Sequence, residues 1–296
     1  MVINRYKSFV DKISDYNNYD NNIRRFLYLI VPAFIIKYGY KKEGLIINTF
    51  TNVKIFVSNE ESDMVNAFYT SIPRYDMGKI VTNKMIVIKN YNKIKLVNLL
   101  DSLVHEFNHA VNSYNYEFKI DDNNLYLRTG LTYSIYDKTS LKPIKKDESY
   151  VLEEIINTRQ TESIINIIRD FDINNNLVSN TIYSINSEVS NNYNSMAYFY
   201  ESAISKRILD NKTFISTIEN LRISGSIDDI EGWFDNIVGE NGVYKKLVLL
   251  LKKILDMEIE LSKTKYFKSF KINKIKDMSR SVIDIVNTFD NSTNYS

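Results

Sequence analysis

The stretch Leu103-Val104-His105-Glu106-Phe107-Asn108-His109-Ala110-Val111 holds both histidines of the chain, in the pattern H-E-x-x-H. The pattern constrains the fold because it brings the two rings together only on a helix, where residues four apart stand on one face. There His105 and His109 can each turn a ring nitrogen toward one metal ion, at about 2.0–2.1 Å for zinc. Glu106 lies beside them, placed to take a proton from a water on that ion. Chance alone would produce this arrangement in about one of a few thousand such chains. Leu96, Leu99, Leu100, Leu103, Phe107, Ala110 and Tyr114 form one apolar stripe at the helical period. At about 100° per residue, both histidines project to the side opposite Leu103. They line either solvent or a cleft covered by another part of the chain. Two surface histidines beside a surface glutamate is the plainer alternative.

This helix resembles the active-site helix of the zincin metallopeptidases. The metzincin extension is absent, since Asn112 and Asn115 stand where it needs Gly and His. With no further histidine and no cysteine in the chain, the third ligand that the resemblance implies is an oxygen, a carboxylate. Glu117 lies about 12 Å along the helix axis from His109, too far to share the ion. The stretch Leu152-Glu153-Glu154-Ile155-Ile156-Asn157-Thr158 resembles the gluzincin pattern, in which a second helix supplies a glutamate. That likeness makes Glu154 the ligand and Asn157 or Thr158 a hydrogen-bonding residue behind it. Ile155 and Thr158 depart from the Gly and the acid usual in gluzincins, which keeps Glu153 as an alternative ligand. Both glutamates also fit as charges favoured near a helix N-terminus. The resemblance spans mainly residues 84–170.

A family member of this kind binds Zn2+ and hydrolyses a peptide or protein substrate through a metal-activated water. Glu106 would be the general base, passing its proton on to the leaving amine. Gluzincins add a Tyr or His donor for the oxyanion. Here that donor is expected to be a tyrosine from Tyr193, Tyr198 and Tyr200, with Tyr198 preferred. In zincins, the strand at the place of Lys84-Met85-Ile86-Val87-Ile88-Lys89 is the sheet edge that pairs with substrate. Flanking lysines suit an ordinary guarded edge equally well.

Three functions stay open. One is a zinc endopeptidase, and one a metal-dependent hydrolase of another amide. The third is a non-catalytic helical interaction protein with a structural or vestigial metal site. An intact Glu106 argues against the third.

With 38 basic and 36 acidic side chains, the chain offers no electrostatic case for nucleic acid or an anionic membrane as partner. The absence of cysteine rules out disulfides and thiolate chemistry and fits a reducing compartment. Met1 to Asn22 is polar, without the hydrophobic region of a signal peptide. Phe26 to Ile36 is about half the ~20 residues that span a bilayer and contains Pro32, so it reads as a buried helix. A soluble, cytoplasmic protein is expected.

In chain order, residues 5–38 read as one or two helices. From Leu45 to Ser58 the period changes, Val53 to Val57 alternating as a strand. Tyr69 to Arg74 and Gly78 to Thr82 are short extended pieces, followed by the Lys84–Lys89 strand and the H-E-x-x-H helix. Leu125 to Asp137, broken at Thr129-Gly130, and Lys138 to Lys146 read as strands joining the two ligand helices. Arg128 there reads either as an anion-binding residue of the cleft or as a surface strand residue. A helix over Val151–Asp170 carries Glu154, and the remainder is nearly all helical. The expected fold is α+β, mostly α, with a small mixed sheet, the H-E-x-x-H helix and an all-α C-terminal part. Residues 1–172 form the catalytic domain in this reading, and residues 173–296 a helical domain supplying the other wall of the cleft.

Overall fold

The computed structural model describes residues 2–60, 67–113, 119–120, 123–146, 149–175, 203–224, 229–263 and 268–292. The chain is mostly α with a small mixed sheet and a helical C-terminal part. It divides into two compact units, Met1–Tyr114 with Asn157–Ala197 and Asn115–Ile156 with Tyr198–Ser296.

In the first unit, α1 (Val2–Asn17) and α2 (Asn21–Tyr38) open the chain. Asp20 caps α2 by accepting from the Ile23 amide at 2.9 Å. The apolar run Phe26–Ile35 is helical and, apart from half-buried Tyr28, buried all round, as a helix without a polar face requires. A 3₁₀ turn (Tyr40–Lys42) leads into α3 (Glu43–Asn52). Residues 45–52, expected to belong to a stretch of changed period, are therefore helical. Ile46, Thr49 and Phe50 are buried at helical spacing, and the strand is confined to β1 (Lys54–Val57). β2 (Ala67–Asp76) and β3 (Lys79–Ile88) form one long hairpin rather than short pieces. Met77 and Gly78 turn it with φ of 46° and 78°, the geometry that matches strand twist in a two-residue hairpin. β1 pairs parallel to β3, giving the order β1-β3-β2. The Lys84–Lys89 stretch is thus the centre of the sheet, not its edge. An alternating run flanked by lysines looks alike in both places, and the β1 pairing that decides between them is a long-range contact. α4 (Leu96–Val111) follows, and Phe107 stacks on Phe50 at 4.1 Å while Phe50 meets Phe34 edge-on at 5.5 Å. These rings join α2, α3 and α4 into one core.

The second unit begins with an antiparallel meander, β4 (Lys119–Ile120), β5 (Asn124–Thr129), β6 (Thr132–Asp137) and β7 (Pro143–Lys146). The helix α5 (Tyr150–Asn175) starts in this unit and continues in the first, extending beyond the expected Asp170. The remaining helices are α6 (Ala203–Asp210), α7 (Lys212–Ser224), α8 (Asp229–Val238), α9 (Val243–Lys263) and α10 (Lys268–Ser292). Phe214, Phe234 and Phe289 form their aromatic centre, with ring centroids 4.8–6.1 Å apart. Leu131, Leu152 and Ile156 share this core. The meander and the start of α5 therefore group with the C-terminal helices, a division interleaved along the chain rather than sequential near residue 172. Among the described residues, no helix is long and apolar enough to cross a membrane.

Candidate metal centre

Every residue of α4 from Leu103 to Val111 is buried, so the apolar stripe is only half of what the helix hides. The other half is polar: His105 is 5 % exposed, and Glu106 and His109 are 6 % exposed. Of the two positions open for the histidines, solvent or a covered one, they take the covered one. Their rings lie 5.0 Å apart and nearly perpendicular, at 79°.

Buried amides and carboxylates are tolerated only when hydrogen-bonded. The partners come from α2 and from a polar stripe on α5, where Glu153, Asn157, Gln160 and Thr161 are all buried. The Asn108 side chain donates to Asn157 Oδ1 at 2.7 Å and to Gln160 Oε1 at 3.1 Å. Tyr38 shares its one hydroxyl proton between Asn108 Oδ1 and Gln160 Oε1, and itself accepts from Asn112 Nδ2 at 3.0 Å. Asn157 Nδ2 closes the network on the His105 carbonyl at 3.0 Å. Asn157, not Thr158, makes this bond to the histidine helix. The network sets the register of α5 against α4.

One turn before Asn157 stands Glu154, half-buried. His105, His109 and Glu154 offer ligand atoms that all lie within 4.8 Å of one another, the one such group of three among the described residues. Bonds of about 2.0–2.2 Å to a tetrahedral ion put donors about 3.4 Å apart, a closure within reach of small side-chain rotations. Two imidazoles and one carboxylate form the three-ligand set of catalytic zinc sites, so the residues fit the ion. Glu153 is committed elsewhere: Arg222 grips both its oxygens, and the Leu131 amide donates to Oε2 at 2.8 Å.

Glu106 is anchored from the sheet. The Tyr69 amide, on the outer strand β2, donates to Glu106 Oε2 at 2.6 Å. Burial pushes the Tyr69 hydroxyl well above the ordinary tyrosine range, with the Ser113 and Ser71 hydroxyls pulling the other way, so it stays protonated. Arg128 is not a surface residue. It is 3 % exposed, and its guanidinium donates to the carbonyls of Gly130 and, at 3.1 Å, of Leu221. Glu117, Tyr193, Tyr198 and Tyr200 lie outside the described residues.

The sequence reading missed Tyr38, Asn108, Gln160, Tyr69 and Arg222. Asn108 and Gln160 left only a weak trace, each being an uncharged polar residue one helical turn from another, Asn112 and Asn157. For Tyr38, Tyr69 and Arg222 the sequence carries no local signal. No protein-family model, no curated protein and no solved structure matches the chain.

Proposed function

We propose that this chain is a zinc-dependent metallopeptidase of the gluzincin type, hydrolysing peptide bonds with Glu106 as general base. The observation that carries the reading is the convergence of His105, His109 and Glu154, with Glu106 following the first of them in sequence. Zinc, when bound, supplies Lewis acidity toward the scissile carbonyl and a water of lowered pKa.

The rest of the work falls to the chain's own groups. His105, His109 and Glu154 hold the ion. Glu106 accepts the proton of the attacking water and delivers it to the leaving amine. Its anchor at the Tyr69 amide fixes the carboxylate, so little reorganisation is needed at proton transfer. Near-complete burial of His105, Glu106 and His109 limits bulk water and strengthens each electrostatic interaction within the site. Oxyanion stabilisation by Tyr198 belongs to the same proposal.

The test is zinc per chain by elemental mass spectrometry, with hydrolysis of a peptide library measured in parallel. About one zinc in the wild type, lost in His109→Ala and Glu154→Gln, supports the site. Glu106→Gln should retain zinc and lose about 10²–10⁴-fold in rate. A wild type without zinc after supplementation refutes the reading. Zinc without hydrolysis of any peptide shifts it to another amide substrate or to a structural site.

A further inference from the structure

We infer that Arg222 is a positioning residue for the metal centre, acting through Glu153 to hold the start of α5 so that the neighbouring Glu154 meets the histidines. The inference rests on the metallopeptidase reading and deepens it. A ligand in the opening turns of a helix is poorly placed by default, because those turns lack part of the backbone hydrogen bonding and fray. Glu154 is the fifth residue of α5.

The structure holds this turn from three sides. Arg222 of α7 reaches Glu153 Oε2 through Nε at 2.8 Å and Oε1 through Nη2, a bidentate fork with exposures of 0 % and 1 %. The β5–β6 turn adds the Leu131 amide on Oε2 at 2.8 Å. Ser149 joins both, accepting from the Glu153 amide at 3.0 Å and donating its hydroxyl to the Leu131 carbonyl at 2.9 Å. Gly130 leaves the room: a Cβ there would stand 2.1 Å from Glu153 Oε2. One turn later, Asn157 is fixed in turn by Asn108. Glu154 thus sits between two pinned residues of one helix.

Stability alone is a weak reason for such a pair. Replacing a buried ion pair by well-packed apolar residues is often neutral or stabilising, because desolvation offsets the attraction. A bidentate fork instead fixes the direction of the carboxylate, and so the rotation of the helix that carries it.

The experiment uses the full chain and the double variant Glu153→Leu/Arg222→Met, which removes both charges and leaves no buried ion unpaired. Zinc affinity is read by competition with a chromophoric chelator. The Co(II) absorption spectrum reports ligand geometry, and urea unfolding reports stability. The expected result is a urea midpoint lowered only by the loss of the Leu131 amide's acceptor, a zinc affinity lower by about 10–100-fold and an altered Co(II) spectrum. Arg222→Lys keeps the charge but not the fork, and should fall between the two. Wild-type zinc affinity and Co(II) spectrum in whichever of these variants folds overturns the inference and leaves the metallopeptidase reading standing. A wild type that takes up neither metal overturns both.

Discussion

Gly130→Ala puts a number on the packing behind the candidate metal centre. Gly130 has φ of 58°, and a Cβ there would lie 2.1 Å from Glu153 Oε2 and 2.3 Å from Cδ and Oε1. The whole carboxylate must move. Leaving glycine in the left-handed region costs about 1–2 kcal/mol. Loss of the Leu131 amide bond to a charged acceptor adds about 1.5–3 kcal/mol. If Arg222 is also released, the buried pair adds about 3–5 kcal/mol. The expected destabilisation is about 2.5–5 kcal/mol with the Arg222 pair kept and about 5.5–10 kcal/mol with it released, a large share of the ~5–15 kcal/mol that holds a folded domain. Gly239→Ala is the control, with φ of 77° and nothing within 4 Å of its Cβ, so it bears the backbone cost alone. Both glycines lie in the same unit, as does Trp233, the chain's single tryptophan, packed against that unit's core. Urea unfolding followed by Trp233 fluorescence should show Gly130→Ala less stable than Gly239→Ala by at least about 1.5 kcal/mol. Equal midpoints would refute the claim that Glu153 is locked.

Three further outcomes follow from the site. Tyr69→Pro removes the amide that anchors Glu106 while an edge strand tolerates proline, so turnover should fall about 10-fold or more with zinc retained. Tyr69→Phe keeps that amide and should stay close to wild type in the same assay. Asn157→Ala deletes bonds to Asn108 and to the His105 carbonyl, but Asn108 keeps Gln160, so thermal unfolding should show a loss of only about 2 kcal/mol. Zinc affinity in that variant should drop about 10-fold, measured by chelator competition. Free zinc at 100 times its dissociation constant should stabilise the wild type by about 2.7 kcal/mol in calorimetry, and His109→Ala not at all.

What the sequence by itself determined is local. The α4 helix was legible because its apolar stripe and its histidine pair share one period, and a period is a property of neighbours along the chain. The mostly helical character, the meander around Gly130 and the buried run Phe26–Ile35 were legible for the same reason. Glu154 was reached from a likeness in pattern, with Glu153 left beside it. Only the tertiary structure separates the two, because what distinguishes adjacent carboxylates is which partners surround them. For Glu153 these are Arg222 and Leu131, brought in by α7 and the β5–β6 turn. The central place of β3, the anchor from Tyr69 to Glu106 and the grouping of residues 115–156 with the C-terminal helices were likewise decided in three dimensions. Each depends on contacts between segments far apart in the chain. Such contacts are selected by the burial and hydrogen-bond satisfaction of the whole fold, and they leave no period for a local pattern to reveal.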